Sequence, residues 1–387
     1  MTAITGERTQ SSVGPLTTGN VVIGVLGALV LAGIFAGVGR LFMGLGASTG
    51  LSDTYPWGIW IGFDFVLIAF SGAGFTMAAL VHVFGREKYH PALRPALLAG
   101  LMGYAAVLVI LVLDLGRFDR FYHFLFFWNF HSPLFEICWC VLLYTTILLI
   151  EVSPLLFERL RWRRPLGWIR RAMLPAAIAG VTLSSLHQST LGTLYLNMPH
   201  RLHSLWYTPL LPLLFFLSSI MAGLSLAVIA YTFAARLRGT EAEPTVLSGL
   251  ARGIGWVTVS YLFLKLGDLL IAGEIPALLS FDRMSSLLWL ELGLGAVLPA
   301  GLTLIPAVRS RQFARLMAAG LVLSGVFANR FSATLFAQQP PMGTAAYVPH
   351  IVEWLTTGGI IAGAALAWYL SVRFLVRFRS EAQPQHR

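Results

Sequence analysis

The sequence is poor in charge and in cysteine. Only 11% of its 387 residues are charged and 57% are hydrophobic, far more apolar surface than a soluble core of this size needs. Its two cysteines, Cys138 and Cys140, lie two positions apart in one apolar stretch, where a disulfide between them is geometrically unfavourable. They are too few for a zinc or iron-sulfur site, so we interpret them as packing residues. The composition predicts a membrane protein that crosses the bilayer several times.

Other function classes are disfavoured as well. The net charge of +10 is strong enough to attract nucleic acid, but the basic residues form short tracts between apolar runs, which is typical of the loops that orient a membrane protein. We therefore expect a lipid membrane and no nucleic acid as the partner. The glycine-rich stretches lie within or beside apolar helices and follow no strand, so they predict no phosphate-binding loop. The sequence shows no metal motif or nucleophile arrangement either.

Apolar windows of spanning length recur along the chain. Ten of them can be identified, at approximately residues 20–40, 57–84, 92–113, 132–157, 169–190, 208–235, 250–273, 284–307, 312–331 and 350–376. This pattern predicts an all-α, polytopic membrane protein with ten transmembrane helices. We expect one integral membrane domain over residues 1–387, with a tail at 1–19, the bundle at 20–376 and a second tail at 377–387.

The distribution of basic residues predicts the orientation. Of the 27 lysines and arginines, 20 lie in the tails and even-numbered loops and 5 lie in the odd-numbered loops. By the positive-inside rule, both termini are then cytoplasmic, as expected for a bacterial inner membrane protein. An odd number of helices would mix the two sets of loops, so this asymmetry supports ten. The polar start with Arg8 and the lack of a cleavage pattern favour a first span over a signal peptide.

Two glutamates stand out in the fourth predicted helix. Glu136 lies near one end and Glu151 near the other, so a rise of about 1.5 Å per residue places them roughly 22 Å apart along the axis. A carboxylate in hydrocarbon is costly and is a functional hypothesis by default. The pair indicates a proton-conducting route. For Glu151, a simple ion pair with the arginine-rich inner loop is the alternative.

The predicted topology places many other ionisable residues on the outer side. Seven helices contribute to this layer, through Asp64, Glu136, His187, Lys265, Asp268, Glu291, Arg330 and Glu353, with Asp114 and Arg117 at its rim. Packing alone is a poor reason for so many costly groups, so we expect a polar cavity that opens to the outer face. Two local alternatives stay open: Lys265 and Asp268 as a structural ion pair on one helix face, and His187 as a satisfied core histidine.

The chemistry of this layer favours a quinone over a haem. Haem needs suitably placed axial ligands, and the histidines within spans are His82 and His187, which lie at opposite ends. We therefore expect no haem. A quinone needs hydrogen-bonding groups at two carbonyls, a supply of protons and an apolar channel for its tail, all of which the layer and its helices supply. Electrons would then come from a partner docked on the outer face.

The outer loop at residues 118–130 is rich in aromatic residues. Phenylalanine, tyrosine and tryptophan are common where a protein meets the bilayer surface, so an interfacial belt is one interpretation. A docking surface for an extracytoplasmic partner is the other. Elsewhere, Gly33 with Gly37 and Gly359 with Gly363 are small pairs that would allow helices to pack closely.

Five tracts of the sequence carry a resemblance to known proteins, at residues 55–64 (YPWGIWIGFD), 89–104 (YHPALRPALLAGLMGY), 114–117 (DLGR), 134–136 (LFE) and 186–192 (LHQSTLG). They resemble tracts of the NrfD/PsrC family of quinone-interacting membrane subunits, and most of all its HybB branch, the membrane subunit ("b-type cytochrome" subunit) of periplasmic nickel-iron hydrogenases. The resemblance covers essentially all ten helices. It implies a haem-free anchor that takes electrons from a periplasmic ferredoxin-like iron-sulfur subunit, fed by a hydrogenase or a molybdoenzyme, and exchanges them with menaquinone or ubiquinone.

The resemblance also implies roles for particular residues. By analogy, Tyr104, Glu136, Glu151 and His187 belong to the quinone and proton-path positions. The sequence departs from the hydrogenase pattern where Lys265 replaces an arginine and Asp268 replaces a glutamate, which retains charge but alters the hydrogen bonds.

We combine both lines of reasoning in one assignment. The predicted sets are Asp64, His187, Lys265 and Asp268 for quinone binding, Tyr104, Glu136 and Glu151 for proton transfer, and Asp114, Arg117, Glu291 and Arg330 for support. One alternative is the membrane subunit of a molybdoenzyme such as polysulfide reductase. The other is a proton-coupled secondary transporter, for which the sequence shows neither the broken helices nor the internal repeat that such proteins have.

Overall fold

The computed structural model describes residues 18–338 and 347–376, and this part of the chain is helical. Ten helices are long, and we number them α1 to α10. Their bounds are Thr18–Met43, Ile59–Ala78, His90–Asp114, Pro133–Leu160, Arg163–Leu196, Leu211–Leu237, Pro244–Ile271, Arg283–Leu292, Gln312–Phe331 and Ile351–Phe374. Helices α2, α8 and α9 continue into π-helical turns at Ala79–Val83, Gly293–Val297 and Ser332–Phe336, and after its turn α8 resumes at Leu298–Leu304.

The connections contain short helices only. They lie at Leu45–Ser48, Ile275–Leu278 and Pro306–Arg309, with 3₁₀ helices at Glu87–Tyr89 and Phe118–Leu125. Within the described ranges there is no strand, and the one isolated bridge joins Leu202 and Gln338. The all-α prediction is therefore confirmed for these residues, whereas most of both predicted tails, including Arg8, lies outside them.

Nine helices of the described chain are long and apolar enough to cross a membrane. The tenth predicted span lies in α5, which has 34 residues but is not among the nine. Its first nine residues include four arginines and its later turns carry a polar tract around His187, and both lower its hydropathy. The α5 helix is also longer than predicted, because the sequence window missed its arginine-rich first turns and the final turn after residue 190.

The helices assemble into two groups and one additional pair. Helices α2 to α5 pack on one another, as do α6 to α9, and the two groups meet where α2 packs on α6. Helix α1 packs along α10, and α10 packs on α3. Because successive helices run in opposite directions, one end of the bundle holds Glu136 and the other holds Glu158. We call these the Glu136 end, which is predicted to face outside, and the Glu158 end.

Two glycines produce the closest helix contact of the α1/α10 pair. A Cβ atom added to Gly359 would lie 2.5 Å from Cα of Gly33, and one added to Gly33 would lie 2.6 Å from Cα of Gly359. The expectation that small residues let these helices approach closely is confirmed at this crossing. Gly358, the preceding residue, has open space around an added Cβ, so the two neighbouring glycines differ in what they tolerate.

We expect Gly359→Ala to destabilise the protein by about 1–3 kcal/mol, because α1 must move away from α10. Gly358→Ala is the matched control, and we expect it to be neutral or to stabilise by up to about 1 kcal/mol through helix propensity. Thermal unfolding of the purified protein measures both. Equal stability of the two variants would contradict the close crossing.

Candidate functional site

The histidine tract of α5 connects three neighbouring helices. Nδ1 of His187 lies 3.3 Å from the hydroxyl of Tyr104 on α3. Gln188 donates to the carbonyl of Ile68 on α2 at 2.8 Å, and Thr190 donates to the Glu136 carboxylate on α4 at 2.8 Å. Consecutive polar positions therefore hold α2, α3 and α4 around α5, which explains why one short tract carries so many polar residues.

Tyr104 lies at the centre of this arrangement. It is fully buried, and its ring packs edge-on against that of Tyr144 on α4, with 4.8 Å between centroids. Asp64 of α2 and Ser184 of α5 lie near the Tyr104 hydroxyl without a hydrogen bond to it. We call Asp64, Tyr104, Tyr144, Ser184 and His187 the Tyr104 cluster. Four neighbouring helices each contribute to it.

Buried polar atoms in this cluster lack hydrogen-bond partners. They are Oδ1 of Asp64, the hydroxyls of Tyr144 and Ser184, and Nε2 of His187. A buried polar atom without a partner is costly, so each of these atoms can bind a ligand or water that enters. Because Nε2 of His187 is one of them, the interpretation of His187 as a satisfied core residue is not supported. The cluster contains the donors and acceptors that a quinone head requires.

Tyr144 is held in place by small residues on the adjacent helices. A Cβ atom at Gly74 of α2 would lie 3.1 Å from the Tyr144 hydroxyl, and one at Gly180 of α5 would lie 3.5 Å from its ring. A Cβ atom at Gly74 would thus crowd the hydroxyl, whereas one at Gly180 would make an ordinary contact with the ring. This fit fixes the hydroxyl beside Tyr104 and Ser184 in the middle of the first helix group.

One face of α4 carries polar groups along its length. Glu136, Cys140, Tyr144 and Glu151 follow at intervals of four, four and seven residues, which is the repeat of a single helix face. Glu136 is in the first turn and is exposed, so its carboxylate is less costly than the sequence suggested. Glu151 is 4% exposed and interacts electrostatically with Tyr144. Tyr144 thus lies between the two glutamates.

Glu151 has no hydrogen-bond partner at either carboxyl oxygen among the described residues. The ion pairs of this region form at Glu158 instead, with Arg94 and Arg170, both at 3.1 Å. The alternative that a neighbouring ion pair accounts for Glu151 is therefore wrong for the described chain, because the acid that the arginines contact lies two turns further along α4. A functional role for Glu151 therefore stays a prediction.

A second cluster lies in the other helix group. Glu291 of α8 accepts hydrogen bonds from the Trp206 indole at 3.0 Å and the Asn329 amide at 2.7 Å. Arg330 of α9 is fully buried, donates to Asn329 at 2.5 Å, and lies 3.7 Å from the ring centroid of Phe215. We call Trp206, Lys265, Glu291, Asn329 and Arg330 the Glu291 cluster. Its carboxylate is satisfied, in contrast to Asp64 and Glu151.

Lys265 and Asp268 belong to this second region. The Lys265 ammonium donates to the carbonyl of Leu205 at 2.7 Å, and Asp268 accepts from Thr208 at 2.5 Å. No ion pair joins the two among the described residues, so their predicted direct pairing is not observed. Lys265 also lines a cavity with Trp206, Tyr261 and Asn329 that has room for about one water molecule.

Aromatic side chains lie between the two clusters. The ring of Tyr195 packs on Phe65 of α2 and Phe215 of α6, with 6.4 Å and 6.1 Å between centroids, and Phe65 packs on Phe215 at 6.3 Å. The predicted polar layer is therefore divided in two. Asp64 and His187 lie in one part, and Lys265 and Asp268 lie in the other.

The predicted rim residues separate in a similar way. Arg117 is exposed and forms an ion pair with Asp119 at 2.8 Å, and this hydrogen-bonded contact lowers the pKa of Asp119 to about 2. Asp114 instead lies within electrostatic range of Arg40, Glu353 and Asp64. Arg117 therefore serves the loop, whereas Asp114 lies between the surface and the Tyr104 cluster.

Glu353, a member of the predicted layer, has a structural role. Its carboxylate accepts from the backbone amides of Gly50 and His350, at 2.9 Å and 2.8 Å, and from the Tyr347 hydroxyl at 2.6 Å. It thereby connects the start of α10 to the loop before α2. A fully satisfied carboxylate of this kind fixes the backbone and has little capacity left for a ligand.

The structure adds residues that the sequence did not indicate. Tyr144 and Ser184 complete the first cluster, and Trp206 and Asn329 complete the second. The signal for Tyr144 was present, because it lies on the same α4 face as both glutamates. No group of three or more histidine, cysteine or acidic residues is placed to hold a metal ion within the described ranges.

Comparison with known proteins agrees with this architecture. Residues 47–340 match the family described as polysulphide reductase, NrfD. The chain is 34% identical over 350 residues to a protein of Nitratidesulfovibrio vulgaris, covering 87% of this chain and 88% of that one. It is 30% identical to the probable Ni/Fe-hydrogenase 2 b-type cytochrome subunit of Escherichia coli, covering 91% of each chain. It is 29% identical to the menaquinone reductase integral membrane subunit of Nitratidesulfovibrio vulgaris, covering 91% and 90%. The chain therefore belongs to the NrfD family of integral membrane subunits.

Proposed function

We propose that this chain is the membrane subunit of a respiratory oxidoreductase and exchanges electrons between a periplasmic iron-sulfur subunit and membrane quinone. The observation that carries the proposal is the Tyr104 cluster, where four buried polar atoms without partners come together on α2, α4 and α5 around Tyr104. The names of the hydrogenase and menaquinone reductase relatives support the same assignment. A nickel-iron hydrogenase is the proposed source of electrons, and a molybdoenzyme is the alternative.

The residues of the cluster suit a quinone head as the substrate. Its two oxygens need hydrogen-bonding partners that exchange protons, and Asp64 and His187 supply unpartnered atoms on facing helices. A quinone accepts or returns two electrons and two protons. Tyr104 holds His187 by its hydroxyl, which fixes the imidazole orientation. Menaquinone and ubiquinone share this chemistry, and the proposal needs no haem in the chain.

Two proton routes lead away from the cluster in this proposal. Toward the Glu136 end, the route runs from Glu136, which accepts from Thr190, to Cys140 on the same face of α4 and then to Tyr104 of α3. Toward the Glu158 end, Tyr144 continues to Glu151, about 10 Å further along the helix. Proton uptake through Glu151 would make turnover electrogenic, whereas exchange through Glu136 would not.

The Glu291 cluster has a different role in this proposal. Its carboxylate is hydrogen-bonded, and its two cations, Lys265 and Arg330, face backbone carbonyls and an aromatic ring. We assign it to holding α6 to α9 together beside the quinone site. We therefore move Lys265 and Asp268 from the quinone-binding set to the supporting set, together with Glu291 and Arg330.

The proposal includes a membrane orientation. Ten helices, including α5, would span a bacterial inner membrane with both termini in the cytoplasm, as the arginine distribution predicts. The Tyr104 cluster would then lie in the outer half, within reach of a periplasmic partner. The exposed aromatic segment of residues 118–130 is one surface where that partner would dock.

Purification of the tagged chain from its native membrane tests the function. We expect an iron-sulfur protein to co-purify, and the complex to reduce or oxidise a soluble quinone analogue. Metal analysis then distinguishes nickel-iron from molybdenum catalytic subunits. A chain that purifies alone and accumulates a solute in vesicles would instead be a transporter.

A further inference from the structure

A dense group of arginines lies at the hairpin between α4 and α5. Helix α4 ends at Leu160 and α5 begins at Arg163, so only Arg161, in a left-handed conformation with φ of 57°, and Trp162 connect them. We call residues 158–171 the arginine hairpin. Within it lie six exposed arginines, at positions 159, 161, 163, 164, 170 and 171. The short turn brings charges from two helices to one point.

Most of this charge is not neutralised by the protein. Glu158 is the one acidic residue of the hairpin, and it pairs with Arg170 and with Arg94 of α3. The other five arginines have no side-chain hydrogen bond or ion pair with any described residue. No acidic residue lies in the first turn of α5. The hairpin therefore presents a concentrated positive surface to its surroundings.

The length of α5 places this surface at the depth of the lipid headgroups. A helix of 34 residues is about 51 Å long, whereas the hydrocarbon core is about 30 Å thick and the whole bilayer about 40–45 Å. Since the described residues 172–196 of α5 contain no charged side chain, they can occupy the hydrocarbon. The arginine-rich turns then lie in the headgroup layer at the Glu158 end.

Aromatic residues of the hairpin support this depth. Trp162 is 53% exposed and Trp168 is 70% exposed, with Trp162 stacked on Phe157 at 5.8 Å. Exposed tryptophan is typical of the boundary between hydrocarbon and headgroups, where one part of the ring is apolar and the indole N–H is wet. The arginines are thus interleaved with side chains suited to the same layer.

We propose that the arginine hairpin is a binding site for anionic phospholipid, with the guanidinium groups on the lipid phosphate and the tryptophans on the acyl-chain side. Guanidinium binds phosphate through two parallel hydrogen bonds, and clustered basic residues next to a span attract anionic lipid. The site rests on membrane insertion of the chain and not on the quinone assignment. It would fix the α4/α5 hairpin, which carries Glu151 and His187, relative to the bilayer.

Native mass spectrometry of the purified full chain with added phosphatidylglycerol tests the site. The variant R163Q/R164Q/R171Q removes three of the partnerless charges. Each charge near the surface contributes about fivefold to binding, so we expect about 100-fold weaker retention of phosphatidylglycerol. The wild-type affinity should fall with increasing salt, and neutral phosphatidylcholine should bind weakly to both proteins.

The control variant R236Q/R252Q/R311Q removes three exposed arginines near the same end of the bundle, in the last turn of α6, in the third turn of α7 and at the residue before α9. We expect it to retain phosphatidylglycerol like the wild type. Equal losses in both variants, or wild-type retention in the hairpin variant, would overturn the proposal. If the triple variant is poorly folded by thermal unfolding, R171Q alone should still bind about fivefold more weakly. Inorganic phosphate that competes fully with the lipid would show that a free anion is bound instead.

Discussion

Replacing Asp64 by asparagine is expected to lower the quinone-linked turnover of the intact complex at least about 100-fold, the usual contribution of a positioned proton donor or acceptor. Asparagine keeps the size and can still accept a hydrogen bond, but it cannot exchange a proton. The affected atoms lie inside the Tyr104 cluster, where Asp64 is 4% exposed. The measurement is the rate of quinone reduction or oxidation by the purified complex.

Asp53→Asn is the matched control for this substitution. Asp53 is exposed in the loop before α2, at the same end of the bundle, and lies outside the Tyr104 cluster, so we expect unchanged turnover. Transfer of electrons from the catalytic subunit to an artificial dye should be normal in both variants, because the dye bypasses the membrane subunit. Wild-type quinone turnover in Asp64→Asn would remove this residue from the site.

Glu151→Gln is expected to reduce charge movement across the membrane at least about tenfold, while quinone turnover falls by less. Glu151 is buried and has no hydrogen-bond partner among the described residues. It is therefore placed to carry protons between the Glu158 end and Tyr144. A glutamine at this position cannot carry them, so protons would be exchanged at the Glu136 end only. Turnover in proteoliposomes with a potential-sensitive dye measures the effect.

Glu158→Gln provides the comparison on the same helix. It removes a carboxylate that is engaged with Arg94 and Arg170 and should leave charge movement intact, with a loss of stability of about 1 kcal/mol or less for such surface pairs. Charge movement that is absent in the wild type, or unchanged in Glu151→Gln, would show that Glu151 is not on a proton path.

The fold was predictable because membrane helices follow from composition. Length and hydropathy locate nine spans, and the alternation of arginines between loops supplied independent support. The α5 helix was located less accurately, because its polar tract and its arginines lower the hydropathy by which spans are recognised. The polar tract contacts three other helices and the arginines form the arginine hairpin. The residues that give α5 its contacts therefore also made it harder to detect from the sequence.

The sequence predicted how far along its helix each candidate site residue lies, but not which neighbouring helix that residue faces. The position of a residue along a span predicts its depth, which placed Asp64 and His187 toward the same end, and both lie in the Tyr104 cluster of the structure. Membrane helices are apolar on most faces, so periodicity does not tell which neighbour a residue faces. Lys265 and Asp268 have a similar depth to His187 but lie beyond Tyr195 and Phe65. The packing of α2 and α5 on α6 separates the two clusters.

The sequence also could not predict which acidic residue pairs with which arginine. Six arginines follow Glu151 in the sequence, and their positions alone do not show which acid they contact. The structure assigns Arg94 and Arg170 to Glu158, seven residues later on α4. Conversely, Tyr144 was not among the predicted site residues, although it lies on the same α4 face as both glutamates. Its place beside Tyr104 became evident from the packing, in which Gly74 of α2 leaves room for its hydroxyl.

Reoxidation of the partner's reduced iron-sulfur clusters by quinone tests the central claim most directly. The intact complex is reduced, mixed rapidly with a quinone analogue, and followed by the optical or paramagnetic signal of the clusters. We predict fast reoxidation in the wild type and in Asp53→Asn, and reoxidation at least about 100-fold slower in Asp64→Asn. Equal rates in all three proteins would show that quinone reacts elsewhere and would contradict the assignment of the Tyr104 cluster.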